Sequence, residues 1–119
     1  MEIKKIHDGL SVSPQIEADD LEAIKKAGFK GIICNRPDCE VEDQPSFASI
    51  EAKAKDVGLT AVYLPIRPGL LTEADVDEFE TLLAELSGPI IAYCRTGARS
   101  EMLWTQCETR TNGIAETAS

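Results

Sequence analysis

Aromatic side chains make up only 5% of this 119-residue chain, histidine occurs once, and 12 Lys and Arg face 21 Asp and Glu, a net charge of −9. The shortage of positive charge excludes a nucleic-acid binder, since such a chain repels polyanions. No apolar run approaches the roughly 20 residues of a membrane span. The opening MEIKKIHDG has no apolar stretch and cleavage site behind its lysines, so the expectation is a cytoplasmic chain. Cysteine is sparse too. Cys34, Cys39, Cys94 and Cys107 are spaced C-x4-C and then C-x12-C, a poor match to a four-thiolate zinc site, and are read as free thiols with no metal and no cofactor. His7 stands far from the other informative residues and is read as a surface residue. There is no internal repeat, low-complexity stretch or linker. What remains is 43% hydrophobic and 28% charged, enough to fold as one domain over residues 1–119.

Helical and strand patterns alternate along the chain, the mark of an α/β domain with a mostly parallel sheet. Residues 16–27 carry Leu21, Ile24 and Ala27 at helical spacing, with Gly28 at the capping position. FKGIIC at 29–34 reads as a buried strand stopped by Asn35, Arg36 and Pro37. Phe47, Ile50, Ala54 and Val57 predict a second helix ended by Gly58, and TAVYLPI at 60–66 the next strand. Thr72 and Asp75 form a capping-box pattern ahead of the stripe Val76, Phe79, Leu82, Leu83 and Leu86. The opposite face of that helix, with Glu73, Asp75, Asp77, Glu78, Glu80 and Glu85 and no basic residue, is read as solvated. PIIAY at 89–93 is a third buried strand, and 3–12 supply one or two edge strands.

The segment IIAYCRTGARSEMLW at 90–104 places a strand, the loop Cys94-Arg95-Thr96-Gly97-Ala98-Arg99-Ser100, and then a helix. Such a loop is an anion cradle. Its amides point inward, and the helix terminus adds roughly half a positive charge at the same place. Gly97 permits a turn with positive φ, and Arg99 brings a permanent planar cation. These features favour a thiolate at Cys94, which makes it the candidate nucleophile. Arg99 and Ser100 complete the candidate catalytic set, and Arg95, Thr96, Gly97 and Ala98 are the candidate substrate-binding residues.

The loop resembles the active-site loops of rhodanese-type sulfurtransferases and of cysteine-dependent phosphatases. Ser100 either caps the helix or, as the resemblance to phosphatase loops implies, hydrogen-bonds the thiolate. With GIICNRPD at 31–38, QPSFASIEAKAKDVGL at 44–59, YLPI at 63–66 and GPIIAYCRTGARS at 88–100, the chain resembles the beta-lactamase hydrolase-like phosphatase-like domains, also described as sulfur transferases. The resemblance implies a dual-specificity-phosphatase-like α/β fold. Its mostly parallel four-stranded sheet would lie between helices, with the Cys94 loop at the carboxyl edge, where open α/β sheets bind ligands.

Two features favour sulfur transfer. Cys94 to Arg99 is C-x4-R, one residue shorter than the C-x5-R of phosphatases and equal to the common rhodanese loop. The loop Arg67-Pro68-Gly69-Leu70-Leu71 also lacks a carboxylate to protonate a leaving oxygen. Glu73 and Asp75 follow it, with Asp75 assigned to the capping box. The expectation is therefore a sulfurtransferase that forms a persulfide on Cys94, taking sulfur from a small anionic donor and passing it to an acceptor thiol. A phosphatase acting through phosphocysteine and a non-catalytic anion-binding module are the alternatives. Cys39 is a candidate sulfur acceptor and Cys34 a core residue; Arg36 and Asp38 read as a pair bracing their loop. Residues 105–119 (TQCETRTNGIAETAS) are polar and weakly periodic, an atypical or truncated end. They suggest an under-covered sheet face, a homodimer contact or an exposed Cys107, with 112–119 mobile and dispensable.

Overall fold

The computed structural model describes residues 2–118, with side chains through residue 109. Lys4–His7 (β1) and Leu10–Ser13 (β2) are an antiparallel pair turned at Gly9, whose φ is 79°. The 3-10 turn Ala18–Asp20 leads into α1, Leu21–Lys26, and Gly28 follows its cap at φ 101°. Strand β3 is Gly31–Cys34, α2 is Phe47–Val57, and β4 is Thr60–Tyr63. Then come α3, Glu73–Glu85, β5, Ile90–Tyr93, and α4, Ala98–Ala118.

The five strands form one sheet in the order β1-β2-β5-β3-β4, with every pairing parallel except β1 to β2. The sheet has five strands rather than the four implied by the resemblance. Strand β2 is not at the edge: all four of its residues are buried, because it lies between β1 and β5. Register decides where the site forms. Ser13 pairs with Tyr93, Tyr93 with Cys34, and Cys34 with Tyr63, so the carboxyl ends of four strands finish level. The loops that follow them therefore meet at one edge.

Alternating side chains divide the core by sheet face. Ile32, Cys34, Ile91 and Tyr93 pack with Leu21, Ile24, Ile50 and Ala54 of α1 and α2. Ile33, Ile90 and Ala92 pack with Val76 and Phe79 of α3 and with Leu103 and Cys107 of α4. Local chemistry fixes the helix ends. The Ser46 hydroxyl accepts from the Ser49 amide at α2, Gly58 ends that helix at φ 85°, and Thr72 and Asp75 form the full capping box of α3.

The carboxyl-terminal segment differs from the sequence reading. Helix α4 is continuous to Ala118, and the second sheet face is covered. Cys107 is 3% exposed, not free on a frayed end. It lies one turn beyond Leu103 on the inward face, with its thiol 3.9 Å from the Val76 carbonyl. The polar neighbours Gln106 and Glu108 hide this continuation in the sequence. The expectation for residues 112–119 falls outside those whose side chains are described. His7 is at the surface, its ring stacked on Trp104 with centroids 4.5 Å apart. Among the described residues, no helix is long and apolar enough to cross a membrane.

Leu103, wholly buried between helix and sheet, tests this packing. Leu103→Ala is expected to cost about 2–5 kcal/mol in urea denaturation. Exposed Thr105→Ala is expected to stay within about 0.5 kcal/mol of the parent.

Candidate active site

Cys94 follows β5 directly, and its amide donates to the Ser13 carbonyl at 3.3 Å, tying the loop to the end of β2. The side chain is completely buried. The Gly97 amide donates to the Cys94 sulfur at 3.1 Å. That geometry depends on glycine, since Gly97 has φ 94°, and a Cβ there would lie 3.4 Å from the Ser13 carbonyl carbon and 3.5 Å from its oxygen. Helix α4 begins at the next residue, and its first backbone bond runs from the Glu101 amide to the Gly97 carbonyl. The amides of Ala98, Arg99 and Ser100 precede that bond and carry the helix's positive end. The Thr96 hydroxyl accepts from the Ala98 amide at 3.3 Å. Arg95 is exposed, and its carbonyl accepts from the Gln15 amide.

Arg99 is held on two sides. Its guanidinium makes a bidentate pair with Glu40, at 2.7 and 2.8 Å, and donates to the Ile66 carbonyl at 2.8 Å. Glu40 also accepts from Arg36 Nε at 3.0 Å, while Arg36 reaches Gln15 Oε1 at 3.0 Å. One carboxylate thus holds two arginines, one from the loop after β3 and one from α4. The pairing with Arg99 pulls the Glu40 carboxyl below its ordinary range; burial opposes this and Arg36 reinforces it. Arg99 is held further toward its charged form, by Glu40 first and with a contribution from Cys94.

The partner of Arg36 is therefore Glu40 rather than Asp38. The Asp38 carboxylate accepts from the Phe47 amide at 2.8 Å, and its own amide donates to the Tyr63 hydroxyl at 2.9 Å. Ser100 is wholly buried and donates to Asn35 Oδ1 at 2.8 Å, and Asn35 donates in turn to the Leu64 carbonyl at 3.0 Å. This chain joins the first turn of α4 to the ends of β3 and β4. Sequence reasoning missed both Glu40 and Asn35. The signal for Glu40 was its i,i+4 spacing from Arg36. Nothing local distinguished Asn35 from an ordinary strand terminator.

Cys34 is in the core, as expected, with its thiol pushed up by burial and 3.3 Å from the Arg36 carbonyl. Cys39 is exposed, with φ 65°. Among the described residues, no group of three or more His, Cys, Asp or Glu side chains could hold a metal ion. Beside the first turn of α4 a cleft of about 490 Å³ runs between the 67–71 loop, α3 and α4. Ala98 and Arg99 line its loop end, and Glu73 is the carboxylate on its wall. Asp75 is occupied in the capping box, accepting from the Thr72 amide at 2.9 Å.

Comparison with known proteins is consistent in direction. A family profile described as "Beta-lactamase hydrolase-like protein, phosphatase-like domain" matches residues 2–110. A Xylella fastidiosa beta-lactamase hydrolase-like protein is 32% identical over 91% of this chain, and the match covers 25% of that protein. The chain thus spans about a quarter of the length of the curated relatives it matches. A crystal structure from Neisseria meningitidis, described as that of a candidate phosphatase, is 41% identical, covers 87% of this chain and 74% of its own, and superposes with a TM-score of 0.82. A Shewanella putrefaciens structure described in similar terms is 16% identical, covers 93% and 72%, and has a TM-score of 0.79, a likeness of fold alone.

These findings overturn the assignment of sulfur transfer. The expected rhodanese-like character, the Cys94 persulfide, and the sulfur donor and thiol acceptor, Cys39 included, all fall with it. Loop length was the misleading sign. C-x4-R counts residues within six positions, whereas the relatives match the sheet and helices on which the loop is mounted.

The Glu40 pairing predicts a pH dependence. A carboxyl whose folded pKa is depressed adds stability above its unfolded value of about 4.3 and loses it as pH falls through the folded value. Glu40→Gln should thus be less stable than the parent at pH 7 in urea denaturation, with the gap closing as pH is lowered below about 4.

Proposed function

Because the chain belongs to the phosphatase-like domain family of beta-lactamase hydrolase-like proteins, we propose that it is a cysteine-dependent phosphatase-like hydrolase with Cys94 as nucleophile. The observation that carries this reading is the Gly97 amide on the Cys94 sulfur, at the positive end of α4. That amide, with those of Arg99 and Ser100 in the first turn of α4, supplies donors for the equatorial oxygens of a phosphoryl group. Cys94 attacks phosphorus, the P–O bond to the leaving group breaks, and phosphocysteine forms; water then cleaves the S–P bond, releasing phosphate and regenerating the thiolate.

Arg99 is the cation at the loop's end, oriented by Glu40, and supports the charge that develops on the transferred group. Arg95, Thr96, Gly97 and Ala98 form the cradle wall. Ser100 acts as a positioning residue through Asn35, holding the first turn of α4 to the strand ends. A weakly basic leaving oxygen such as a nitrophenolate departs without a proton, whereas an alkyl one takes a proton as it leaves. In this reading Glu73, on the cleft wall, supplies it.

Cys94→Ser is expected to abolish hydrolysis of an aryl phosphate, and acid quenching of the parent should trap a phosphoryl group on Cys94, visible by mass spectrometry. Arg99→Ala should lower kcat/KM by about 10²–10³-fold. Glu73→Gln should slow alkyl phosphates more than aryl ones. Absence of phosphate release and of a phosphorylated Cys94 would reject the assignment. Gly97→Ala offers a further check. It places a side chain at positive φ, at roughly 1–2 kcal/mol, and should lose activity while the domain stays folded by circular dichroism.

A further inference from the structure

The cleft of about 490 Å³ beside the loop is built unevenly. Ile66, Leu71, Val76 and Met102 give it an apolar floor and flank. Met102 is half exposed and Leu70, at the tip of the adjacent loop, is 60% exposed, two of the large apolar side chains the fold leaves in solvent. Met102 lines the cleft, and Leu70 belongs to the 67–71 loop that contributes Arg67, Gly69 and Leu71 to its wall. An exposed methionine lining a concave, apolar-floored site marks a binding surface more than a packing leftover.

Charge in the cleft is limited. Arg99 lines one end, and because it shares the single carboxylate of Glu40 with Arg36, the three groups together carry only one net positive charge. Arg67 supplies a further cation, and Glu73 on the wall opposes additional negative charge. The chain as a whole carries −9. One phosphate can be held by the loop amides with Arg99, but a second or third would meet a carboxylate and an acidic field.

We infer that the cleft takes the apolar body of a singly phosphorylated small molecule, with the phosphate at the Cys94 loop and an aryl or short alkyl group over Leu71, Val76 and Met102. This inference rests on the hydrolase reading for the placement of the phosphate. Polyphosphates and multiply phosphorylated polyols are disfavoured by the same charges.

Binding is measured by calorimetry on Cys94→Ser, which removes turnover, with naphthyl phosphate, inorganic phosphate and tripolyphosphate as probes. Naphthyl phosphate should bind roughly tenfold more tightly than inorganic phosphate, as burial of one face of a ring allows, and tripolyphosphate no more tightly than inorganic phosphate. Adding Met102→Glu should remove the naphthyl advantage while the melting temperature holds, since the side chain is half exposed. Equal affinities for naphthyl and inorganic phosphate, an advantage that survives Met102→Glu, or preferential binding of tripolyphosphate would each overturn the cleft assignment and leave the hydrolase reading standing. Tight naphthyl phosphate binding together with no ester hydrolysis by the parent would overturn the hydrolase reading alone. Failure of every probe to bind would overturn both.

Discussion

The level finish of β2, β5, β3 and β4 is the constraint from which the site follows. Parallel strands paired Ser13 to Tyr93, Tyr93 to Cys34 and Cys34 to Tyr63 leave their outgoing chains side by side. Each strand then contributes a different function to one small volume: the Ser13 carbonyl anchors Cys94, the β5 loop carries the thiol, Asn35 and Arg36 leave β3, and Leu64 and Ile66 leave β4 with carbonyls that take Asn35 and Arg99. A one-residue slip in any of these pairings would turn the strand's alternate side chains to the opposite layer and move its outgoing loop away from the others. The apolar alternation that builds the two cores is thus also what aims the polar edge.

Over that edge lies a compact charge arrangement. Two guanidinium groups share Glu40, and each is also held by a neutral acceptor, Gln15 for Arg36 and the Ile66 carbonyl for Arg99. Burying such groups is costly unless every partner is present, and here the acceptors come from separate segments of chain. The brace therefore reports on the whole edge at once, because displacement of any one segment leaves a buried cation short of an acceptor. Asn35 plays the uncharged counterpart, joining the hydroxyl of Ser100 to the carbonyl of Leu64.

Much of this architecture was legible in residue order. Periodicity located α2 and α3, glycine marked the end of α2 and the Thr72–Asp75 pattern the start of α3, and Gly97 marked the turn with positive φ in the loop from Cys94 to Ser100. What could not be read depended on pairs distant in sequence. Glu40 meets Arg99 across 59 positions and Asn35 meets Ser100 across 65. Leu10–Ser13 looked like an edge because its own pattern does not reveal that β5 lies beside it. The reaction was misjudged for a related reason: loop length is local, whereas the relatives share the sheet that carries the loop.

Of the four thiols, Cys34, Cys94 and Cys107 are buried and Cys39 is exposed. The exposed thiol is therefore not the proposed nucleophile, Cys94. A bulky thiol reagent meets Cys39 first, on a polar loop that also carries Glu40, and a single added label on the intact protein identifies the accessible sulfur rather than the reacting one. Labels attached there would sit one residue from the carboxylate that holds Arg99, so on the hydrolase reading a loss of turnover after alkylation is expected even with Cys94 untouched. On the same reading, a covalent probe for Cys94 calls for a small anionic head, in a protein whose position 39 has been made inert.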